Sequence, residues 1–145
     1  TKILADEDML REVLVNLIDN AIKYSGDGRQ VEVRLLRIGE KMIRTEIQDS
    51  GIGIDEKHMA RLFTQFYRVD SDLVNEQQGS GLGLYITKKY IEGMNGKIDV
   101  RSSLGNGSTF YFDLPEFESD NTLAQPPAGE LSNDELLAQA MAGMK

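Results

Sequence analysis

Residues 16–25 read NLIDNAIKYS, inside a longer run whose apolar residues recur at helical spacing. Leu10, Val13, Leu14, Leu17, Ile18 and Ala21 fall on one face of a helix reaching about Tyr24, and Asp6 or Asp8 is placed to cap its start. Asparagine is a mediocre helix former because its amide competes for backbone groups, so Asn16 and Asn20, one turn apart, need a reason. With Asn16 at zero and 100° per residue, Asn20 falls at about +40° and Lys23 at about −20°. The three make a narrow polar stripe beside the apolar face. A solvated helix face with an Asp19–Lys23 pair accounts for it. So does a site in which two amide oxygens and an ammonium hold a metal ion and phosphate oxygens.

Downstream of this helix the period changes from 3.6 to 2. QVEVRLLRI alternates Val31, Val33 and Leu35, Gly39-Glu40-Lys41 reads as a turn, and KMIRTEIQD sets Ile43, Thr45 and Ile47 on one side. Together they predict a hairpin. DEKHMARLF reads as a short helix capped by Asp55, and YRVDSDLVNEQQGS, residues 67–80, is a long polar stretch without a period, of a length that is usually functional or disordered. LGLYITKKYIEGMNG reads as a second long helix stopping near Asn95-Gly96. KIDVRSS, a turn at LGNG and STFYFDL form a second hairpin, with Phe110, Phe112 and Leu114 alternating. The expected packing is a two-layer α/β sandwich, helices on one face of a mixed, largely antiparallel sheet.

Composition bounds the rest. The chain has 145 residues, 40% of them hydrophobic, which suits one domain with a real core. It has no cysteine and a single histidine, His58, so disulfide frameworks and Cys- or multi-His metal sites are excluded. No apolar run approaches membrane-spanning length, and the start, TKILADEDML, carries neither an initiator Met nor a signal-peptide pattern. The expectation is a cytoplasmic fragment of a longer protein, without direct membrane contact of its own, while the intact protein is open to membrane anchoring. Of the net charge of −8, about −5 lies from Glu116 onward, where six acidic residues meet one lysine. The nearly balanced first 115 residues lack the basic footprint of a nucleic-acid binder. Residues 116–145 read as an acidic, linker-like tail around Pro126-Pro127, with a possible short amphipathic helix near Leu136, Leu137 and Met141.

Three further motifs carry chemistry. In DSGIGI, residues 49–54, Asp49 shares the strand face of Ile47, Thr45 and Ile43, which is the core face. A carboxylate there needs a donor. An amino-bearing ring approaching over Gly51 and Gly53 supplies one; an Asx-type turn is the plainer account. In GSGLGL, residues 79–84, three alternating glycines precede a helix and can offer amides to phosphate, or simply flexibility. It is neither the dinucleotide fingerprint, since Leu84 stands where that motif needs glycine, nor a P-loop. In FTQFYRVD, Phe63 and Phe66 are expected to anchor the loop in the core, with Arg68 at its base within reach of phosphate. GNGST, residues 105–109, is a hairpin turn after which Thr109 is a candidate for facing the pocket.

In order and spacing, these motifs resemble the ATP-binding catalytic domain of sensor histidine kinases, within the superfamily shared with gyrase-type ATPases and heat-shock chaperones. NLIDNAIKYS resembles the N box, DSGIGI the first glycine box and FTQFYRVD the F box. The run from GSGLGL through the last hairpin resembles the second glycine box and the closing hairpin of that domain. The likeness covers residues 1 to about 115. It implies a Bergerat-type fold with a mobile ATP lid at Val69–Ser80, and ATP and Mg²⁺ as cofactors. By resemblance Asn20 is the metal ligand, Lys23 and Arg68 engage phosphate, Tyr24 packs near the adenine, and Asp49 accepts from its amino group. Gly51, Gly53 and Ile54 adjoin the ring. Gly79, Ser80, Gly81, Leu82, Gly83 and Leu84 lie over the phosphates, with Thr109 as a further contact. Asn16, Lys23 and Arg68 are the catalytic candidates. Asn16 stands where the gyrase-like and serine-kinase relatives carry a general-base glutamate, and an amide cannot take that proton.

The implied function is delivery of the ATP γ-phosphoryl group to a histidine on a separate dimerisation and histidine-phosphotransfer domain, and from there to a response-regulator receiver domain. His58 is not that acceptor, and the fragment is not expected to phosphorylate itself. The alternatives are an ATPase or serine kinase of the same superfamily, or a nucleotide-binding docking module.

Overall fold

A computed structural model describes residues 2–26, 30–68 and 81–117. The expected lid at 69–80 and the tail from residue 118 lie outside the described residues. Helix α1 spans Glu7–Ser25; the Asp6 side chain accepts from the Met9 N–H at 3.0 Å, with Glu7 and Asp8 at its positive end and Lys23 at the other. Strands β1 (Val31–Ile38) and β2 (Met42–Asp49) form the first hairpin, turning at Gly39, whose φ is 61°. A four-residue helix, α2 (Glu56–Met59), follows, capped by Asp55 as expected. Helix α3 runs Gly83–Gly93, and β3 (Lys97–Ser102) and β4 (Ser108–Pro115) close the fold.

The α3 stop has a clear geometry. Asn95 takes φ 62°, its N–H reaches the Glu92 carbonyl, and the Gly96 N–H reaches the Ile91 carbonyl at 2.9 Å. This double bond satisfies two terminal carbonyls of the helix.

The four strands are ordered β1-β2-β4-β3, and every pairing among them is antiparallel. α1 and α3 pack against each other and cover one face. Val13, Leu17 and Ile91 from the helices meet Ile47, Phe112 and Leu114 from the sheet in the core. The opposite face is polar. Arg44 forms a two-pronged pair with Asp113 and lies 4.2 Å over the Tyr111 ring, while Arg101 stacks near the same ring at 4.8 Å.

Two details differ from the sequence reading. Phe63 packs on the core, edge-to-face with Phe110 at 6.2 Å, but Phe66 is 65% exposed with φ 61°. Its N–H is held by the Gly81 carbonyl at 3.1 Å, and that close crossing of two chain segments turns the backbone into the left-handed region. Pairing with the body of the fold also continues past Pro115: Ile3 bridges Glu116, and the Phe117 N–H reaches the Lys2 carbonyl at 2.8 Å.

Candidate functional site

Between α1, the end of β2, the start of β4 and the start of α3 lies a cavity of about 310 Å³. The α1 stripe opens into it: Asn16, Asn20 and Lys23 line it together, flanked by Asp19 and Tyr24. The amphipathic period of the helix buries Val13, Leu17 and Ala21 and thereby turns the stripe toward the cavity. Asn16 also donates its side-chain amide to the Thr87 hydroxyl of α3 at 3.4 Å, and Thr87 is fully buried.

Asp49, at the end of β2, also lines the cavity and is only 6% exposed. Its Oδ1 accepts from the Gly51 N–H at 2.9 Å and from the Ser108 N–H at 3.3 Å. Burial pushes its carboxyl above the usual range, and the two backbone bonds pull it back only in part. Asp49 is itself on the cavity wall, where a ligand's donor would be matched.

The expected glycine roles divide. Gly53 lines the cavity. Gly51 does not stand on the described wall, and a Cβ there would meet the Tyr24 carbonyl oxygen at 2.1 Å. Its small size lets the strand end cross the end of α1. A Cβ on Gly107 would likewise meet the Asp49 carbonyl oxygen at 2.1 Å, so that glycine serves the hairpin's approach to Asp49.

Ile54, Arg68, Gly81, Gly83 and Leu84 also line the cavity. Leu82, as N-cap of α3, supplies no side-chain hydrogen bond to the first turn and is not on the wall. The first-turn amides of α3 thus receive no cap from the Leu82 side chain. Gly79 and Ser80 lie outside the described residues.

Thr109 is corrected by the sheet. Ser108, Phe110, Phe112 and Leu114 are buried on the helix-covered side, so Thr109 points to the other face and Ser108 lines the cavity in its place. Parity with Phe110 was the sequence signal that identifies Ser108. The Ser102 hydroxyl donates to the Gly107 carbonyl at 2.9 Å, which uses its single proton. In the 2.7 Å contact between the two hydroxyls Ser108 must therefore be the donor, and it offers only lone pairs to a ligand. Tyr67, Leu62, Ile52 and Phe110 are further wall residues that the motif reading did not single out.

Lys23 and Arg68 bring positive charge to the cavity wall, and Asp49 and Ser108 bring acceptors. Among the described residues no group of three or more His, Cys, Asp or Glu side chains could cage a metal. The amide oxygens of Asn16 and Asn20 instead suit a cation that shares its oxygens with phosphate, as Mg²⁺ does.

The sequence and the fold match known proteins. Residues 5–118 match the histidine kinase-, DNA gyrase B-, and HSP90-like ATPase family, and the chain belongs to that family. Within it, the similar proteins are sensor histidine kinases. The chain is 38% identical over 135 residues to the sensor histidine kinase AruS of Pseudomonas aeruginosa, covering 90% of this chain and 13% of that protein. It is 42% identical over 113 residues to the sensor protein SrrB of Staphylococcus aureus, covering 78% of this chain and 19% of the relative. The chain thus spans less than a fifth of either curated relative.

Among solved structures, a mycobacterial sensor histidine kinase, MprB, superposes with a TM-score of 0.68 at 30% identity, covering 77% of this chain and 73% of that one. Full-length ShkA in complex with AMPPNP superposes with a TM-score of 0.69 at 31% identity, covering 81% and 24%. Among the described residues no helix is long and apolar enough to cross a membrane.

Proposed function

We propose that this chain is the part of a sensor histidine kinase that binds Mg·ATP and presents its γ-phosphoryl group to a histidine on a dimerisation domain of the same protein. The observation that carries the proposal is the convergence of the α1 stripe and the buried carboxylate Asp49 on one cavity. Asp49 and Ser108 accept from the adenine amino group and fix the base. Lys23 and Arg68 neutralise the phosphates, and Asn20, with Asn16 beside it, holds the cation against them. The cation supplies charge neutralisation of the terminal phosphates when bound. The acceptor imidazole brings its own lone pair to phosphorus as the bond to the ADP oxygen breaks, and ADP leaves with that electron pair. No carboxylate base is then required at Asn16.

From the phosphohistidine, the phosphoryl group passes to an aspartate of a response-regulator receiver domain. His58 is not the acceptor: it is part-buried in α2 and bonded to Tyr67.

The test has two stages. Calorimetry of the chain with ADP and Mg²⁺ measures the nucleotide site, and radiolabelled transfer from ATP to a separately supplied dimerisation domain of a sensor kinase measures the chemistry. Nucleotide binding without transfer to any histidine-bearing partner, together with rapid phosphate release, would favour the ATPase reading.

A further inference from the structure

Between α2 and Arg68 the chain advances in steps of three. The Arg61 N–H bonds to the His58 carbonyl at 3.1 Å, Thr64 to Arg61 at 3.0 Å, and Tyr67 to Thr64 at 3.4 Å. The Thr64 hydroxyl adds a second bond to the Arg61 carbonyl at 2.6 Å. The left-handed turn at Phe66, φ 61°, ends this series, and His58, Arg61 and Tyr67 meet. His58 Nδ1 lies 2.5 Å from the Tyr67 hydroxyl, and the Arg61 guanidinium lies 4.8 Å from the centre of the Tyr67 ring. The His58 end is fixed in turn by the Asp55 cap, whose Oδ1 accepts from the Lys57 N–H at 3.2 Å.

Tyr67 and the adjacent Arg68 both line the nucleotide cavity. Phe66, on the other side of Tyr67, is held at Gly81 through its backbone. The segment bearing Arg68 is thus fixed at two points, at Phe66 by main chain and at Tyr67 by side chain.

We infer that His58 and Arg61 brace Tyr67 in the cavity wall and so position Arg68 for the terminal phosphate, making His58 a positioning residue for ATP over ADP. The inference rests on the nucleotide-site reading above. The brace adjoins Arg68, whereas Asp49 and Ser108, assigned above to the base, belong to β2 and β4. Loosening Tyr67 should therefore spare contacts common to both nucleotides and weaken the one that only the triphosphate makes. The tyrosine–histidine bond forms with either histidine tautomer, because the phenol both donates and accepts.

The experiment measures dissociation constants for ADP and for a non-hydrolysable ATP analogue, with Mg²⁺, in the whole chain and in His58→Ala, His58→Gln, Tyr67→Phe and the His58→Ala/Tyr67→Phe double variant, alongside melting temperatures. His58→Ala and Tyr67→Phe should each weaken the analogue by about two- to tenfold, the worth of one side-chain hydrogen bond, and His58→Ala, which lies off the cavity wall, should leave ADP affinity unchanged. The double variant should be no worse than the worse single one, and His58→Gln, which restores a polar partner, should recover most of the loss. Unchanged analogue affinity in both single variants overturns the inference. So does an equal loss for both nucleotides with a lowered melting temperature, which marks a purely structural contact. A wild-type chain that binds neither nucleotide overturns the nucleotide-site reading itself, and this inference falls with it.

Discussion

Asn16 on α1 donates its side-chain amide to the buried Thr87 hydroxyl on α3, 3.4 Å away, across the contact between the two helices. This asparagine of the cavity wall is therefore also a strut of the fold. Asn16→Ala leaves a fully buried hydroxyl without this partner, which typically costs about 1–3 kcal/mol. In a domain of this size a loss of about 1 kcal/mol lowers the melting temperature by roughly 4–8 °C. That drop is the expected result in a thermal melt.

Steady-state phosphate release from the isolated chain should be slow in wild type and stay slow in Asn16→Ala. Asp19 is the carboxylate nearest this position on the cavity wall. Brisk wild-type release that Asp19→Asn or Asn16→Ala abolishes at a temperature where the variant remains folded would identify a hydrolytic site instead.

Asp49 should trade stability for binding. Burial raises its carboxyl in the folded chain, with the Gly51 and Ser108 N–H bonds opposing. The folded state then keeps the proton to higher pH than the unfolded chain does. Its contribution to stability is fully present below the unfolded value and is lost as pH rises through the raised folded one. Asp49→Asn keeps an oxygen for the two N–H groups but cannot ionise. Its melting temperature should equal or exceed wild type at pH 7, and the gap should close near pH 4, around the ordinary carboxylate range. ADP affinity should fall by about 1–3 kcal/mol, because the amide can present a donor to the adenine amine. Unchanged affinity in calorimetry would remove Asp49 from the adenine site.

Two glycines at the cavity should behave oppositely. Gly53 has φ 70°, and a Cβ there would lie 2.0 Å from the Ser103 carbonyl oxygen. Gly53→Ala should cost at least about 2 kcal/mol in urea unfolding. Gly83 opens α3 with nothing within 4 Å of a Cβ, so Gly83→Ala should change stability by between zero and about 1 kcal/mol in the favourable direction. Since Gly83 lines the cavity, a loss of nucleotide affinity in that stable variant reports contact with the ligand.

The place where the tail begins can be measured by truncation. Ending the chain after Phe117 should leave ATP affinity and melting temperature nearly unchanged. Ending it after Pro115 also removes the Arg37–Glu116 pair and the Phe117–Lys2 backbone bond, and should lower the melting temperature further. A large loss of either quantity on removing residues 118–145 alone would show that the tail packs on the domain.

Much of the site was readable because its logic is local. The apolar period of α1 places Asn16, Asn20 and Lys23 on one stripe, and the period of β2 places Asp49 on the buried face. The same parity applied to β4 selects Ser108 over Thr109; both are hydroxyls, so residue type alone does not choose between them. The meeting of His58, Arg61 and Tyr67 left no trace in any helical or strand period, because it arises from successive turns and the left-handed Phe66.

By itself the sequence determined the helices, the hairpins, the buried acceptor and the family, since spacings of 2 and 3.6 residues and ordered motifs are properties of the chain. Only the tertiary structure decided what the special residues touch. Gly51 and Gly107 make room for this chain's own carbonyls at Tyr24 and Asp49, Phe66 is turned outward by its crossing with Gly81, and Asn16 finds Thr87. Those contacts join residues far apart in sequence, and they exist only once the sheet register and the packing of α1 against α3 have brought their partners within a few ångströms.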